Sequence, residues 1–155
     1  MSTAFDFIST NDKPALLALS TPDWLSVAEP ALVELGYKVQ SVGSHAEFPV
    51  RFSQVPYQVV VIEELFGGTI PTENASLQLL QRMPMIQRRE ATIILLGDTF
   101  ETLNTLQAFQ QSVHAVVNYS EMSLLGQLVQ KVVADSTLFL SSFRDVQARL
   151  AQAKP

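Results

Sequence analysis

A chain of 155 residues is one domain's worth, long enough to bury roughly two thirds of the surface its unfolded form exposes. Apolar residues make up 47% and charged residues only 16%, against roughly 25% charged in an ordinary soluble domain, so part of the surface is uncharged and suited to a partner. A net charge of −5, with basic residues grouped only at Arg82, Arg88 and Arg89, argues against nucleic acid as that partner, and the lack of cysteine excludes disulfides and thiolate metal sites.

Two isolated histidines, His45 and His114, complete a composition that fits a reducing cytoplasm. No apolar run approaches the roughly 18 residues of a membrane span, and no basic segment leads into an apolar one at the N-terminus. The expected setting is cytoplasmic, with no membrane partner.

Residues 1–13 form an arm of polar residues around Phe5-Asp6-Phe7-Ile8, too short to fold alone. It is either a docking peptide or edge strand, or a tail packed on its own domain. Pro14 to Leu19 reads as a first strand. Thr21 is placed to cap the helix that follows, with Pro22 in its first turn, and Trp24, Leu25, Ala28, Ala31, Leu32 and Leu35 recur at spacings of three and four. Gly36 ends that helix, and Pro30 inside it predicts a kink between Ser26 and Pro30.

Lys38 to Val42 alternates as a second strand before the turn Gly43-Ser44. His45 to Val55, interrupted by Pro49, predicts a short or irregular helix. Gln58 to Ile62 is a nearly unbroken β-branched run, the mark of a strand buried on both faces, and it delivers Glu63 and Glu64 to its C-terminal edge ahead of Gly67-Gly68. Leu77, Leu79, Leu80 and Met83 mark a third helix that Pro84 ends or bends. Ala91 to Leu96 is a fourth strand, Leu103, Leu106 and Phe109 mark the next helix, and Val113 to Val117 is the fifth strand. Strands alternating with helices over short connections demand right-handed crossovers and helices on both faces of one parallel sheet, an α/β three-layer sandwich.

From Leu125 a seam of Leu125, Val129, Val132, Ser136, Phe139, Phe143, Val146 and Leu150 alternates steps of four and three. The helix either runs on to about Gln152 or breaks at Asp135-Ser136. Phe139, Phe143, Val146 and Leu150 then either bind a protein partner or a second copy, or fold back over their own domain. Leaving them in water forgoes about 1.5–3 kcal/mol each.

No residue set supports catalysis. Gly67-Gly68 matches neither a dinucleotide nor a P-loop fingerprint, and His114, with no nucleophile near it in sequence, reads as structural. Glu63, Glu64, Asp98 and Asp23 can be read as weak ligands of a divalent cation or as solvated strand-end acids. No cofactor is expected.

Pro22 before a helix closing in Glu34-Leu35-Gly36-Tyr37, the strand from Gln58 to Glu63, and Ala115-Val116-Val117-Asn118 before the last helix give residues 14–134 a pattern that resembles a response-regulator receiver domain of the chemotaxis-regulator type. The resemblance implies a flavodoxin-like five-stranded parallel sheet of order 2-1-3-4-5, here with residues 135–155 as an extended C-terminal helix. It also implies a site that this chain lacks. The metal-holding acidic pair falls on Leu19 and Ser20, the phosphoacceptor on Glu63, the phosphoryl-contacting hydroxyl on Gly97, the lysine on Asn118 with Tyr119 after it, and the switch aromatic on Ala115. Phosphoryl transfer without metal or lysine loses its main electrostatic stabilisation.

The resemblance therefore implies a degenerate pseudo-receiver, not an enzyme and not switched by aspartyl phosphorylation, that serves as an interaction, dimerisation or scaffold module. Glu63 is then a fixed negative charge or a solvated edge acid. The other reading of the same edge is an α/β module that binds a small ligand or divalent cation around Ser20, Glu63 and Asn118.

Overall fold

In the computed structural model, residues 12–68, 70–84 and 91–153 are described, without the side chains of residues 71, 140–144 and 153. The apolar island of the arm, Arg88, Arg89 and the side chain of Phe143 lie outside the described residues.

Five strands form one parallel sheet: β1 (Lys13–Ala18), β2 (Tyr37–Val42), β3 (Val59–Glu63), β4 (Thr92–Gly97) and β5 (Ala115–Asn118), in the order β2-β1-β3-β4-β5. β3 is the middle strand, and all five of its residues are buried, as its β-branched run requires. β1 begins one residue before the strand expected from Pro14, because Lys13 already pairs with Tyr37 in the β1–β2 ladder.

Period-two alternation divides the core into two layers. Leu16, Ala18, Val60, Ile62, Ile93, Leu95 and Val116 face α2 (Glu47–Gln54), α3 (Ala75–Arg82) and α4 (Thr105–Gln111), from which Phe48, Leu77, Leu80 and Ala108 are buried against them. Leu17, Val59, Val61, Ile94, Leu96, Ala115 and Val117 face α1 (Pro22–Glu34) and α5 (Leu125–Ala153), which bury Ala28, Leu32, Leu125, Val129 and Val132. Glu63 follows Val59 and Val61 in phase, so its side chain belongs to the α1–α5 side.

Local expectations are adjusted by the tertiary context. α1 is a single helix of 13 residues through Pro30. Pro49 sits in the first turn of α2, where its missing N–H costs nothing. α4 is shorter than its apolar residues suggested: Leu103 precedes it at φ 64°, its N–H held by the Val116 carbonyl at 2.9 Å, while Leu106 and Phe109 are exposed. Asn74 and Asn104 cap α3 and α4 by accepting from the N–H groups of Leu77 and Gln107.

α5 passes Asp135-Ser136 without a break and runs for 29 residues, about 43 Å at 1.5 Å per residue. The seam changes surroundings along it. Leu125, Val129 and Val132 are in the core, whereas Phe139, Val146 and Leu150 are 65%, 52% and 61% exposed. Every described side chain from Thr137 to Gln152 is exposed, so the helix projects beyond the domain and its last turns do not fold back over the sheet. No described helix is long and apolar enough to cross a membrane.

Candidate functional site

The C-terminal ends of β1, β3, β4 and β5 carry Leu19-Ser20, Glu63, Gly97 and Asn118 to one edge, where parallel α/β sheets place their sites. Glu63 is central to this edge and is only 2% exposed, which corrects its reading as a solvated acid. A carboxyl group is buried this far only when its oxygens are hydrogen-bonded. Here Oε1 accepts from the Thr21 N–H at 2.8 Å, and Oε2 accepts from the Thr21 hydroxyl at 3.0 Å and the Tyr119 hydroxyl at 3.1 Å.

Thr21 therefore has a different task from the one its position suggested. It occupies the N-cap of α1 but gives the helix no side-chain hydrogen bond. Its N–H and hydroxyl together grip Glu63, and Glu63 supplies the negative charge favoured at a helix N-terminus. Tyr119, the residue after β5, closes over the same carboxyl group and is roofed by Trp24, whose ring stacks on it at 5.0 Å between centroids and 5° between planes. Burial, followed by the neighbouring Glu63 charge, pushes the Tyr119 phenol far above its ordinary pKa, so it remains a proton donor at neutral pH.

The other positions are filled or diverted. Leu19, 4% exposed, lies in the apolar layer, and Ala115, also 4% exposed, adds only a methyl group to it. Ser20 is exposed, and its hydroxyl accepts from the Gly67 N–H at 3.2 Å. Gly97 leaves no room for a side chain: a Cβ there would lie 2.7 Å from the Phe100 ring and 2.9 Å from Glu64 Oε2. Asn118 donates to the carbonyls of Asp98 and Phe100 at 3.1 and 2.8 Å and accepts from the Ser120 N–H at 2.9 Å. Its amide is used up in holding the β4–α4 loop against the start of the segment after β5.

Glu64 and Asp98 are near enough to interact, and burial first, then the Asp98 charge, raise the Glu64 pKa above its ordinary value. Among the described residues no three of His, Asp and Glu are grouped as metal ligands. His114 accepts from the Ile93 N–H at 2.9 Å through Nδ1, which extends the β4–β5 pairing by a side chain. Asn74 donates to the carbonyls of Glu63 and Glu64 at 2.9 and 3.0 Å, fixing the turn that leaves β3.

Thr21, Trp24, Phe100 and Asn74 were not legible as residues of this edge. Trp24 appeared only as a member of the α1 apolar stripe, Thr21 only as a cap. The available signal was an aromatic in the first turn after β1 paired with an aromatic immediately after β5, two positions that the topology brings together.

No protein-family profile matches the chain, and no curated protein matches it. Solved structures do. A response regulator from Thermotoga maritima superposes with a TM-score of 0.62 at 11% identity, covering 79% of this chain and 98% of that one. A response regulator receiver domain (CheY-like) from Methylobacillus flagellatus gives 0.58 at 15% identity, covering 78% and 98%. NtrX from Brucella abortus gives 0.67 at 10% identity, covering 86% of this chain and 29% of its own length. The fold is that of a receiver domain, and the flavodoxin-like sheet order 2-1-3-4-5 is in keeping with it.

Proposed function

We propose that this chain is a pseudo-receiver, a signalling module that carries out no phosphoryl chemistry and works by binding protein through its projecting α5. One observation carries the first half of the reading. The carboxyl group at the phosphoacceptor position is buried and held by Thr21 and Tyr119 of its own chain, so an incoming phosphoryl group meets an occupied oxygen, with Leu19 and Ser20 in place of the acidic pair and Asn118 in place of the lysine. The second half is supported by Phe139, Val146 and Leu150, which continue the core seam into solvent.

The test is exposure of the full chain to a small phosphodonor such as acetyl phosphate, with and without magnesium, followed by intact-mass measurement. The expected result is an unchanged mass under both conditions. A phosphoryl adduct on Glu63 would overturn the proposal. In parallel, a specific thermal stabilisation by a divalent ion or nucleotide that Glu63→Ala or Asn118→Ala abolishes would transfer the edge to a ligand-binding function.

A further inference from the structure

We propose that the outer edge of β2 is a docking site for the chain's own arm, with Thr3 to Phe7 seated on it as an antiparallel strand and Asp6 opposite Lys38. This contact is independent of α5 and of the phosphoacceptor edge.

The two ends of the sheet are unlike. β5 ends it with four residues, whereas β2 ends it with six and contains neither proline nor glycine. An end strand of that length offers a row of backbone donors and acceptors along its outer side, and native sheets blunt or cover such rows. The arm has the composition to do so. Phe5 and Phe7 alternate with Asp6, and Ser9-Thr10-Asn11-Asp12 after them are turn formers. An antiparallel strand at the edge of an otherwise parallel sheet is a common arrangement.

The chain ahead of β1 is already turned toward β2, because Asp12 Oδ2 lies 3.8 Å from Lys38 Nζ. Lys38 shares the phase of Gln40 and Val42, and Val42 belongs to the layer that faces α2. The link therefore passes beneath β2 on the α2 side. The α1–β2 connection occupies the other side, where Lys13 Nζ donates to the Leu35 carbonyl at 3.2 Å and stands 4.4 Å over the Tyr37 ring. The two connections do not cross. From Phe7, outside Tyr37, to Lys13, which pairs with Tyr37 on its inner side, the chain must cover two strand spacings, about 10 Å. Six residue steps reach up to about 20 Å, so the turn closes with slack.

Register follows from side-chain phase. Opposite residues of an antiparallel pair share a face, so this pairing sets Phe7 beside Tyr37 and Phe5 beside Val39, in the layer that also holds Leu35, and sets Asp6 beside the Lys38 ammonium. A slip of one residue would place Asp6 against Val39 and both phenylalanines against Lys38 and Gln40.

The chain contains no cysteine, so T3C/S41C puts two thiols on a pair that this register sets side by side. It is expected to close an intramolecular disulfide under mild oxidation, whereas A4C/S41C, with thiols on opposite faces, is not. In the full-length protein without substitutions, hydrogen exchange should slow at alternate amides between Thr3 and Phe7, by at least roughly tenfold relative to an unstructured chain. F5S/F7S should abolish that slowing, with the ellipticity of the domain retained.

Exchange at the unstructured rate throughout the arm would overturn the docking. A T3C/S41C disulfide formed between chains would give the β2 edge to the arm of a second copy, and equal closure in A4C/S41C would reduce the contact to a tail without register; either result overturns the proposal.

Discussion

The Tyr119 hydroxyl donates to Glu63 Oε2 at 3.1 Å, bridging the segment after β5 to the end of β3. The resemblance to receivers puts a lysine one residue earlier, at Asn118, with the task of reaching this carboxyl group. The aromatic neighbour has taken over the contact without the charge, and Trp24 holds its ring flat.

Tyr119→Phe removes this donor and keeps the stacked ring. A lost hydrogen bond to a buried acid costs about 1–3 kcal/mol, and chemical denaturation should show a shift of that size at unchanged m-value. Tyr119→Ala should cost more, because the Trp24 contact goes as well.

Glu63→Gln tests the carboxyl group itself. An amide offers one acceptor where Thr21 and Tyr119 bring three donors to two oxygens, so donor faces donor at one of them. Destabilisation of about 1–3 kcal/mol is expected. Glu63→Asp should also destabilise, since a side chain one methylene shorter retreats from Thr21, and it should still take up no phosphoryl group from acetyl phosphate by intact mass.

Gly97→Ser would restore a hydroxyl at the position the resemblance assigns to one. The new Cβ meets Phe100 at 2.7 Å, so overpacking should cost about 1–3 kcal/mol, read by thermal or urea unfolding. Phe100→Ala relieves that contact, and the double variant should lose less than the sum of the two single losses.

The alkaline limb follows from the tyrosines. Tyr37, Tyr57 and Tyr119, which are all the tyrosines of the chain, have pKa values raised primarily by burial. The folded state thus holds these protons more tightly than the unfolded state, so their contribution is intact below the ordinary value of about 10 and is lost as pH rises above it. Tyrosinate absorbance should appear together with the loss of far-ultraviolet ellipticity, not before it. Tyr119→Phe should flatten the stability–pH slope in that range.

Glu64 has the opposite chemistry but the same sign. Its raised pKa, from burial and then Asp98, means that the folded state binds the proton more tightly, so stability declines as pH climbs from the ordinary carboxyl range through the raised value. Asp98→Asn removes the repulsive neighbour and should lessen this decline in urea titrations taken across mildly acidic pH.

Much of the frame could be read from periodicity. The β-branched run at Val59 to Ile62 has no helical alternative, and the four-three seam after Leu125 marks a helix, although the seam alone left open a break at Asp135-Ser136 that the structure does not have. α4 was less legible: Leu106 and Phe109 obey a helical spacing but are exposed, because the helix turns Ala108 to its layer of the core, while Leu103, left-handed ahead of the helix, packs in the other layer. The edge was least legible of all. Spacing and the resemblance assigned residues to the receiver positions, but what Glu63 touches depends on Thr21 and Tyr119, 42 and 56 residues away along the chain. Local sequence carries no sign of such a meeting, and charge counting alone made Glu63 a solvated acid.

α5 is one uninterrupted rod with its root among Leu125 and Val129 and its tip in water. Whatever grasps the tip therefore pulls on a stiff lever whose fulcrum is the packing of Leu125, Val129 and Val132 against α1 and the sheet. Force or tilt applied near Leu150 would be delivered along the helix to the apolar layer in which Leu125 and Val129 meet Leu17, Val117 and Trp24.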